Sequence, residues 1–329
     1  MQNDISDKEM LEILEQNIGF EDPKIWLEFA KRNDFQAVKA ARLTRCPVCT
    51  SSPGKPLGQY VYYSSLLALQ ECSVCSLVYV DGRIDQILLQ RHFETAYKEE
   101  GYFHKKRAAV FSQIASIVLK LAKKNARILD IGGAKGHLLN LISLRDRELE
   151  LVLSDISQAA CDYASKEFGL ESFSGACYEL PADIGRFDLV LVIDALYYEP
   201  DLSKFGKAIS ELVKDGGSVV FRIPNKLCWI KTWQSCLSLL NVNIDTQSKV
   251  KFFNPEHLYV FSRPFLSYYL KTYGFTSIEF QPSRPLFSTN PFQNLLRRIY
   301  FIVAIFVFYI SLKQIIITPG MLVTAVKKI

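Results

Sequence analysis

The chain has 329 residues, of which 49% are hydrophobic, and its 39 Lys and Arg against 34 Asp and Glu give a formal net charge of +5. That length can hold about two domains of ordinary size, and the apolar content is ample for a hydrophobic core. The mild charge does not indicate a nucleic-acid-binding surface. The sequence has neither an internal repeat nor a low-complexity tract, so length and composition favour an enzyme with an accessory module.

Residues 1–42 are predicted to form a helical segment, because Leu11, Leu14 and Ile18 recur roughly at helical spacing. The opening residues are polar and acidic, which is not typical of a secretory signal peptide. We therefore expect a cytoplasmic protein. In a reducing compartment paired cysteines bind metal rather than form disulfides.

Two Cys-x-x-Cys pairs follow, Cys46 with Cys49 and Cys72 with Cys75, and 22 residues separate the pairs. Zn²⁺ prefers a tetrahedron of thiolates, to which each such pair supplies two sulfurs. The pattern predicts a zinc ribbon over residues 43–82. Four thiolates leave no open position for substrate, which indicates a structural zinc. A small cluster of buried thiols without metal is the alternative.

Residues 83–126 are predicted to be linking helices, and from residue 127 apolar strands alternate with helical stretches. Continuous apolar runs are typical of strands buried on both faces of a parallel sheet. The alternation predicts an α/β fold with a doubly wound, mostly parallel, Rossmann-like sheet over residues 127–329. The predicted strands are Ile128–Ile131, Leu151–Ser154, Leu189–Ile193 and Ser218–Ile223.

A glycine-rich turn follows the first of these strands. Asp130 ends the strand, and Gly132, Gly133 and Gly136 let the backbone bend tightly before the next helix begins. The free N–H groups of that helix are expected to face the crevice at the strand ends. Asp155 ends the second strand, where its carboxylate can accept both ribose hydroxyls of a nucleoside. For the glycines alone, an ordinary strand-to-helix turn is the alternative.

The run Asp130–Gly136 resembles the first motif of class I S-adenosylmethionine-dependent methyltransferases, with Ala134 in place of the middle glycine. The resemblance extends over about 104–282 and the last strand, Met321–Lys327. It implies that Ala176 stands where the family carries an acid beside the adenine, and that the Cys177 backbone N–H serves instead. The cofactor-binding residues that it implies are Asp130, Gly132, Gly133, Gly136, Asp155, Ile156, Ala176, Cys177 and Asp194.

A zinc ribbon before this core, with the segments 93–97, 101–103 and 254–262, resembles a bacterial subgroup of small-molecule and polysaccharide-pathway methyltransferases. That resemblance implies a small-molecule or lipid-linked glycan-type acceptor. An RNA methyltransferase that uses the ribbon to bind nucleic acid is one alternative. The mild charge argues against it, as does Ile193–Leu196, where base-amine enzymes carry an Asn-Pro-Pro-aromatic run. A non-catalytic cofactor-binding homologue is another alternative.

Three residues are candidates for catalysis. A hydroxyl, amine or carbon acid that receives a methyl group must lose a proton, so a nearby base helps. His257 lies where the resemblance implies a loop over the acceptor pocket, although it could instead cap a helix or lie on the surface. Asp194 could be a base or could position the methionine amino group, and Tyr198 is expected to line the acceptor pocket with Tyr197.

An apolar helical insertion is predicted at about 290–318. Asn290 and Pro291 are suited to its start, and the all-apolar stretch 299–312 covers about 21 Å as a helix, which is short of a bilayer. We expect peripheral contact through about 295–317 with the inner face of a membrane. A homodimer interface, burial against the sheet and a true membrane span are the alternatives.

Overall fold

The computed structural model describes residues 41–62, 65–83, 90, 93–94, 104–225, 257–288 and 290–329. The predicted N-terminal helical segment lies outside these residues, except that Ala41–Arg42 is a strand rather than helix. Residues 101–103 and 254–256 of the subgroup motifs also lie outside them. The described chain divides into two compact units. Tyr197–Asp201 and residues 257–265 group with the cysteine-rich part, not with the other residues of 127–329 as the sequence predicted.

The first unit is antiparallel. Strand β1 (Ala41–Arg42) pairs with β5 (Gly82–Arg83). A second sheet has four strands, whose order in space is β11-β4-β3-β2. Its apolar centre includes β4, all three residues of which are buried. The four strands are β2 (Lys55–Tyr62), β3 (Ser65–Glu71), β4 (Val78–Val80) and β11 (Tyr259–Val260).

The second unit contains a seven-stranded sheet with the order β12-β13-β10-β9-β6-β7-β8. The prediction of a doubly wound, mostly parallel sheet is confirmed, because β8, β7, β6, β9 and β10 are parallel neighbours. Strand β13 runs antiparallel between β10 and β12. The strands are β6 (Arg127–Ile131), β7 (Glu150–Asp155), β8 (Glu171–Ser174), β9 (Phe187–Ile193), β10 (Val213–Pro224), β12 (Phe275–Pro282) and β13 (Gly320–Lys327).

Helices cover this sheet through apolar faces. Leu138, Leu139 and Ile142 of the helix after β6 are buried, and Ser157 starts the helix after β7 by accepting a hydrogen bond from the Ala160 N–H. These two helices therefore begin at the carboxyl edge of the sheet, where the parallel strands end. The helices are α1 (His104–Leu121), α2 (His137–Ser143), α3 (Gln158–Phe168), α4 (Leu202–Leu212), α5 (Arg263–Thr272) and α6 (Pro291–Ile310).

Helix α6 forms the predicted insertion, between β12 and β13. The Asn290 side chain accepts hydrogen bonds from the Phe292 and Gln293 N–H groups, and Pro291 is the first helical residue, as the sequence predicted. The helix has 20 residues, about 30 Å, so the expectation from the stretch 299–312 that it is short of a bilayer is wrong. The helix is long and apolar enough to cross a membrane, a property that many core helices of soluble proteins share. Such core helices are mostly buried, whereas only 11% of the most apolar window of α6 is buried.

Candidate active site and metal centre

The four predicted zinc ligands lie together in the first unit. The ligand atoms of Cys46, Cys49, Cys72 and Cys75 all lie within 4.8 Å of one another. The Cys46 and Cys75 sulfurs are 3.6 Å apart, and those of Cys49 and Cys72 are 3.4 Å apart. A tetrahedral zinc with 2.3 Å bonds would hold its sulfurs about 3.8 Å apart. The cluster therefore fits one zinc ion.

The two Cys-x-x-Cys turns share one backbone geometry. The Thr50 N–H donates to the Cys46 carbonyl and the Ser76 N–H to the Cys72 carbonyl, each at 3.0 Å. Thr50 and Ser76 both have a positive φ, 55° and 60°, which reverses the chain at the same point of each turn. A hydrogen bond with Cys75 lowers the pKa of the Cys46 thiol to about 5. The same hydrogen bond raises the pKa of the Cys75 thiol, so that Cys46 is the thiolate of this pair.

The glycine-rich turn lies at the carboxyl edge of the second unit. The N–H groups of Gly132 and Gly133 both donate to the Ser154 carbonyl, at 2.7 and 3.2 Å, which joins the turn to β7. Gly132 has φ +70°, and a Cβ there would lie 2.5 Å from the Ala195 Cβ. Gly136, at φ +76°, precedes α2, and a Cβ there would meet Leu170 at 2.8 Å. Gly132 and Gly136 are therefore too close to their neighbours to carry a side chain.

Ala134 stands at the position of the middle glycine in the motif that the run Asp130–Gly136 resembles. It is buried and adopts a left-handed conformation, φ 50°. Its N–H donates to Asp155 Oδ2 at 2.9 Å, while Asp155 Oδ1 accepts from the Ser157 N–H, also at 2.9 Å. Asp155 is thus oriented by two backbone groups. Burial raises its pKa to about 6.

Asp130 is 1% exposed at the end of β6. Among the described residues, Asp130 Oδ1 and Ser154 Oγ are the buried side-chain atoms without a hydrogen-bond partner. Burial, and then the neighbouring charge of Asp155, raise the pKa of Asp130 to about 8. An unsatisfied buried acceptor is costly. A cationic or N–H donor on a bound molecule would satisfy it, so this edge fits a cofactor that carries an ammonium group.

The remaining predicted cofactor contacts lie on the same edge. Ile156 is half-buried directly after Asp155, and the Gly175 N–H donates to the Asp155 carbonyl at 2.9 Å. Ala176 and Cys177 are both buried, and the Ala176 N–H donates to Glu179 Oε2 at 2.9 Å. The backbone here is therefore fixed by Glu179. The cofactor role of these residues stays a prediction.

Asp194 follows β9 with a positive φ of 56° and is 8% exposed. Its carboxylate forms ion pairs with Arg107 of α1 and Arg222 of β10. Arg222 also donates from Nε to Ser283 Oγ at 3.0 Å. Sequence reasoning missed both arginines. Arg222 carried a signal, since a charged residue within the apolar run Val219–Ile223 needs a buried partner, whereas nothing in the sequence singled out Arg107.

Tyr197, Tyr198 and His257 form an aromatic cluster in the first unit. The His257 ring lies 3.8 Å from the Tyr197 ring and 5.5 Å from that of Tyr198. The Leu258 N–H donates to the Tyr197 carbonyl at 2.9 Å, which fixes the two segments together. His257 is 5% exposed, so the alternative of a surface histidine is wrong. Its role as a base, like that of Asp194 in the second unit, stays a prediction.

Comparison with known families identifies the second unit. A family model described as "Methyltransferase domain" matches residues 102–279, just over half of the chain. No curated protein sequence is similar enough to be matched to the chain.

Solved structures of methyltransferases are similar to this chain. A chain from the Haloferax volcanii complex of the Trm112 methyltransferase activator and a methyltransferase is 14% identical, with a TM-score of 0.50 over 72% of this chain and 98% of its own. A Thermotoga maritima S-adenosylmethionine-dependent methyltransferase is 14% identical, with a TM-score of 0.47 over 73% of this chain and 100% of its own. Haemonchus contortus phosphoethanolamine N-methyltransferase 2, 16% identical, has a TM-score of 0.47 over 72% of this chain and 60% of its own.

Proposed function

Because the chain belongs to the methyltransferase-domain family, we propose that it transfers a methyl group from S-adenosylmethionine to a small-molecule or lipid-linked glycan-type acceptor. One observation carries the cofactor part of the proposal. Asp130 and Asp155 end neighbouring parallel strands on either side of a glycine turn, and both carboxyls are buried at the carboxyl edge. Buried carboxyl groups with raised pKa values are typical of functional sites.

The residues of this edge have separate parts in binding. Asp155, oriented by the N–H groups of Ala134 and Ser157, would accept the ribose hydroxyls. The unsatisfied Oδ1 of Asp130 would accept from the ammonium group of the methionine portion. When bound, S-adenosylmethionine supplies an electrophilic sulfonium methyl group. The turn at Gly132 keeps side chains away from the strand ends, so that a ligand can approach the backbone.

The chain's contribution to the reaction is positioning and proton removal. Holding the acceptor nucleophile in line with the methyl group supplies much of the rate. The resemblance implies a loop over the acceptor pocket at His257, and on that ground we propose His257 as the base that takes the proton lost by the acceptor. We assign Asp194 to positioning, because its carboxylate is already ion-paired with Arg107 and Arg222.

We further propose a structural zinc ion bound by the four sulfurs of the first unit. A Cys₄ site is closed, so the metal would stabilise the ribbon and not contact substrate. Metal analysis of protein purified without chelator should give one zinc per chain. Its absence would leave the cluster as buried thiols.

A transfer assay tests the activity. The purified protein is incubated with labelled S-adenosylmethionine and a cell-envelope extract, and the product is separated into lipid, glycan and RNA fractions. Label in the lipid or glycan fraction supports the proposal. Label in RNA would favour a nucleic-acid substrate, and no label above that of a heat-inactivated control would contradict an active enzyme.

A further inference from the structure

We propose that the β12–β13 insertion docks the methyltransferase unit on an anionic lipid bilayer, with the carboxyl edge of the sheet turned toward it, so that the acceptor is membrane-resident. The substrate part of this inference rests on the proposed methyl-transfer function. The docking part rests on the second unit alone, specifically on helix α6 and the points where residues 283–319 leave and rejoin the sheet.

Helix α6 lies lengthwise against its own unit. Ala304 and Phe308, one turn apart, are buried, and Tyr300 one turn earlier is half-buried. The Tyr300 hydroxyl donates to the Ile317 carbonyl at 2.6 Å, which ties the helix to the returning chain. Phe301, Ile305 and Val307 beside this stripe are half-buried, and the opposite side of the helix is exposed.

The outward face is apolar except for the exposed Arg298 at its margin. Five apolar residues spaced by three or four positions lie on the side opposite Ala304. Each of them is between 50% and 68% exposed. Together they form a continuous apolar patch, unlike the single apolar residues that are scattered over ordinary protein surfaces. They are Leu295, Ile299, Ile302, Phe306 and Tyr309.

The charge of the insertion identifies the partner. Residues 283–319 contain four basic residues, Arg284, Arg297, Arg298 and Lys313, and no Asp or Glu. An apolar helix face flanked by cations suits the boundary between acyl chains and anionic headgroups. A symmetric dimer through the same face would bring the like charges of two copies together. The charge pattern therefore favours lipid over a second copy.

The two ends of the insertion exclude a membrane span and determine which edge of the sheet faces the bilayer. Pro282 pairs with Met321, and Pro224 at the carboxyl end of β10 pairs with Gly320, so the chain leaves and returns at one edge. The return, residues 311–319, is not a regular helix, and such backbone cannot cross a hydrocarbon core exposed to lipid.

That edge is also the edge of the candidate site. The Asn225 side chain donates to the Ile316 and Thr318 carbonyls, at 2.9 and 3.1 Å. Arg222 binds Ser283, the first residue of the insertion, and also pairs with Asp194 after β9. The membrane-facing helix is thus fixed to the same strand ends that carry the acidic residues of the site, which places a lipid-linked acceptor within their reach.

Vesicle flotation of the full-length protein tests the docking. We compare vesicles of phosphatidylcholine alone with vesicles that contain about one third phosphatidylglycerol, without methyl donor. The protein should float with the anionic vesicles at least about tenfold more strongly than with the neutral ones, and high salt should reduce this preference. Wild-type protein that stays unbound with both would overturn the proposal, as would a dimer that the variant below converts to monomer.

The variant Ile302→Ser/Phe306→Ser removes two outward side chains that are 68% and 63% exposed. Its control is Leu144→Ser/Ile329→Ser, which removes two exposed apolar side chains elsewhere, 66% and 99% exposed. The first variant should lose at least about tenfold of the vesicle binding, and the control should float like wild type. Equal flotation of the two variants would overturn the assignment of the surface.

The two proposals fail separately in these experiments. Both variants should keep the wild-type affinity for S-adenosylmethionine, which also shows that they are folded. With a membrane extract as acceptor source, the helix variant should lose label from the lipid fraction while its cofactor affinity stays unchanged. Absent cofactor binding in wild type would contradict methyl transfer alone, whereas cofactor binding without flotation would contradict docking alone.

Discussion

Replacing Asp130 by Asn should make the folded protein more stable at alkaline pH while weakening cofactor binding. The side chain is 1% exposed, and its Oδ1 has no hydrogen-bond partner among the described residues. Burial and the charge of Asp155 raise the pKa of Asp130 to about 8. An amide of nearly the same shape removes the charge. The asparagine amide stays neutral at every pH, whereas the buried aspartic acid must ionise as the pH rises.

The sign of the pH dependence follows from this raised pKa. Between the unfolded pKa of about 3.9 and about 8, folded Asp130 binds a proton that the unfolded chain has lost, so stability falls as pH rises. Over this range each pH unit costs about 1.4 kcal/mol of stability, because the folded state binds one more proton than the unfolded chain. We expect the wild-type free energy of unfolding to fall by about 3–4 kcal/mol between pH 5 and 8, and Asp130→Asn to flatten the slope.

Urea unfolding at pH 5, 6, 7 and 8, without S-adenosylmethionine, measures this effect. Asp162→Asn is the control, because Asp162 is exposed on α3 and should leave the wild-type pH profile unchanged. If Asp130→Asn and wild type show parallel pH profiles, Asp130 is not held protonated by its surroundings. The argument that its carboxyl is kept for a ligand would then fail.

Further predictions concern the metal, the buried ion pairs and catalysis. Cys46→Ser should abolish zinc binding and lower the unfolding temperature, and a zinc content equal to wild type would contradict the Cys₄ site. Arg222→Met should lower the free energy of unfolding in urea by about 3–5 kcal/mol, because it leaves Asp194 buried with one partner fewer. A loss below about 1 kcal/mol would contradict a stabilising role of this ion pair. His257→Ala should lower kcat by about 10²–10⁴-fold with unchanged cofactor affinity, and less than threefold would return His257 to a packing role.

The sheet could be predicted from sequence because its strands are buried on both faces. Continuous apolar runs such as Leu189–Ile193 allow few other structures, and Asp130 and Asp155 end two adjacent strands of the sheet as expected. The cysteine cluster was equally predictable, since the spacing of two Cys-x-x-Cys turns carries the geometry of the metal site. In both cases the information is local in the sequence.

Features that depend on distant contacts could not be predicted in the same way. Arg107 meets Asp194 across 87 positions of the chain, and no local pattern records that ion pair. The span of α6 was underestimated because only the apolar stretch 299–312 was counted, although Asn290 and Pro291 were recognised as its start. Strand positions 41–42 depend on pairing with Gly82–Arg83, which sequence periodicity does not report.

Calorimetric titration of S-adenosylmethionine into the wild-type protein and Asp155→Ala tests the central claim most directly. We predict one binding site per wild-type chain. Asp155→Ala should bind more weakly by about 1.5–3 kcal/mol, roughly 10–150-fold, because a charge-assisted hydrogen bond to the ribose is lost. Wild-type protein without measurable binding, or a variant with wild-type affinity, would contradict a cofactor site at the carboxyl edge of this sheet.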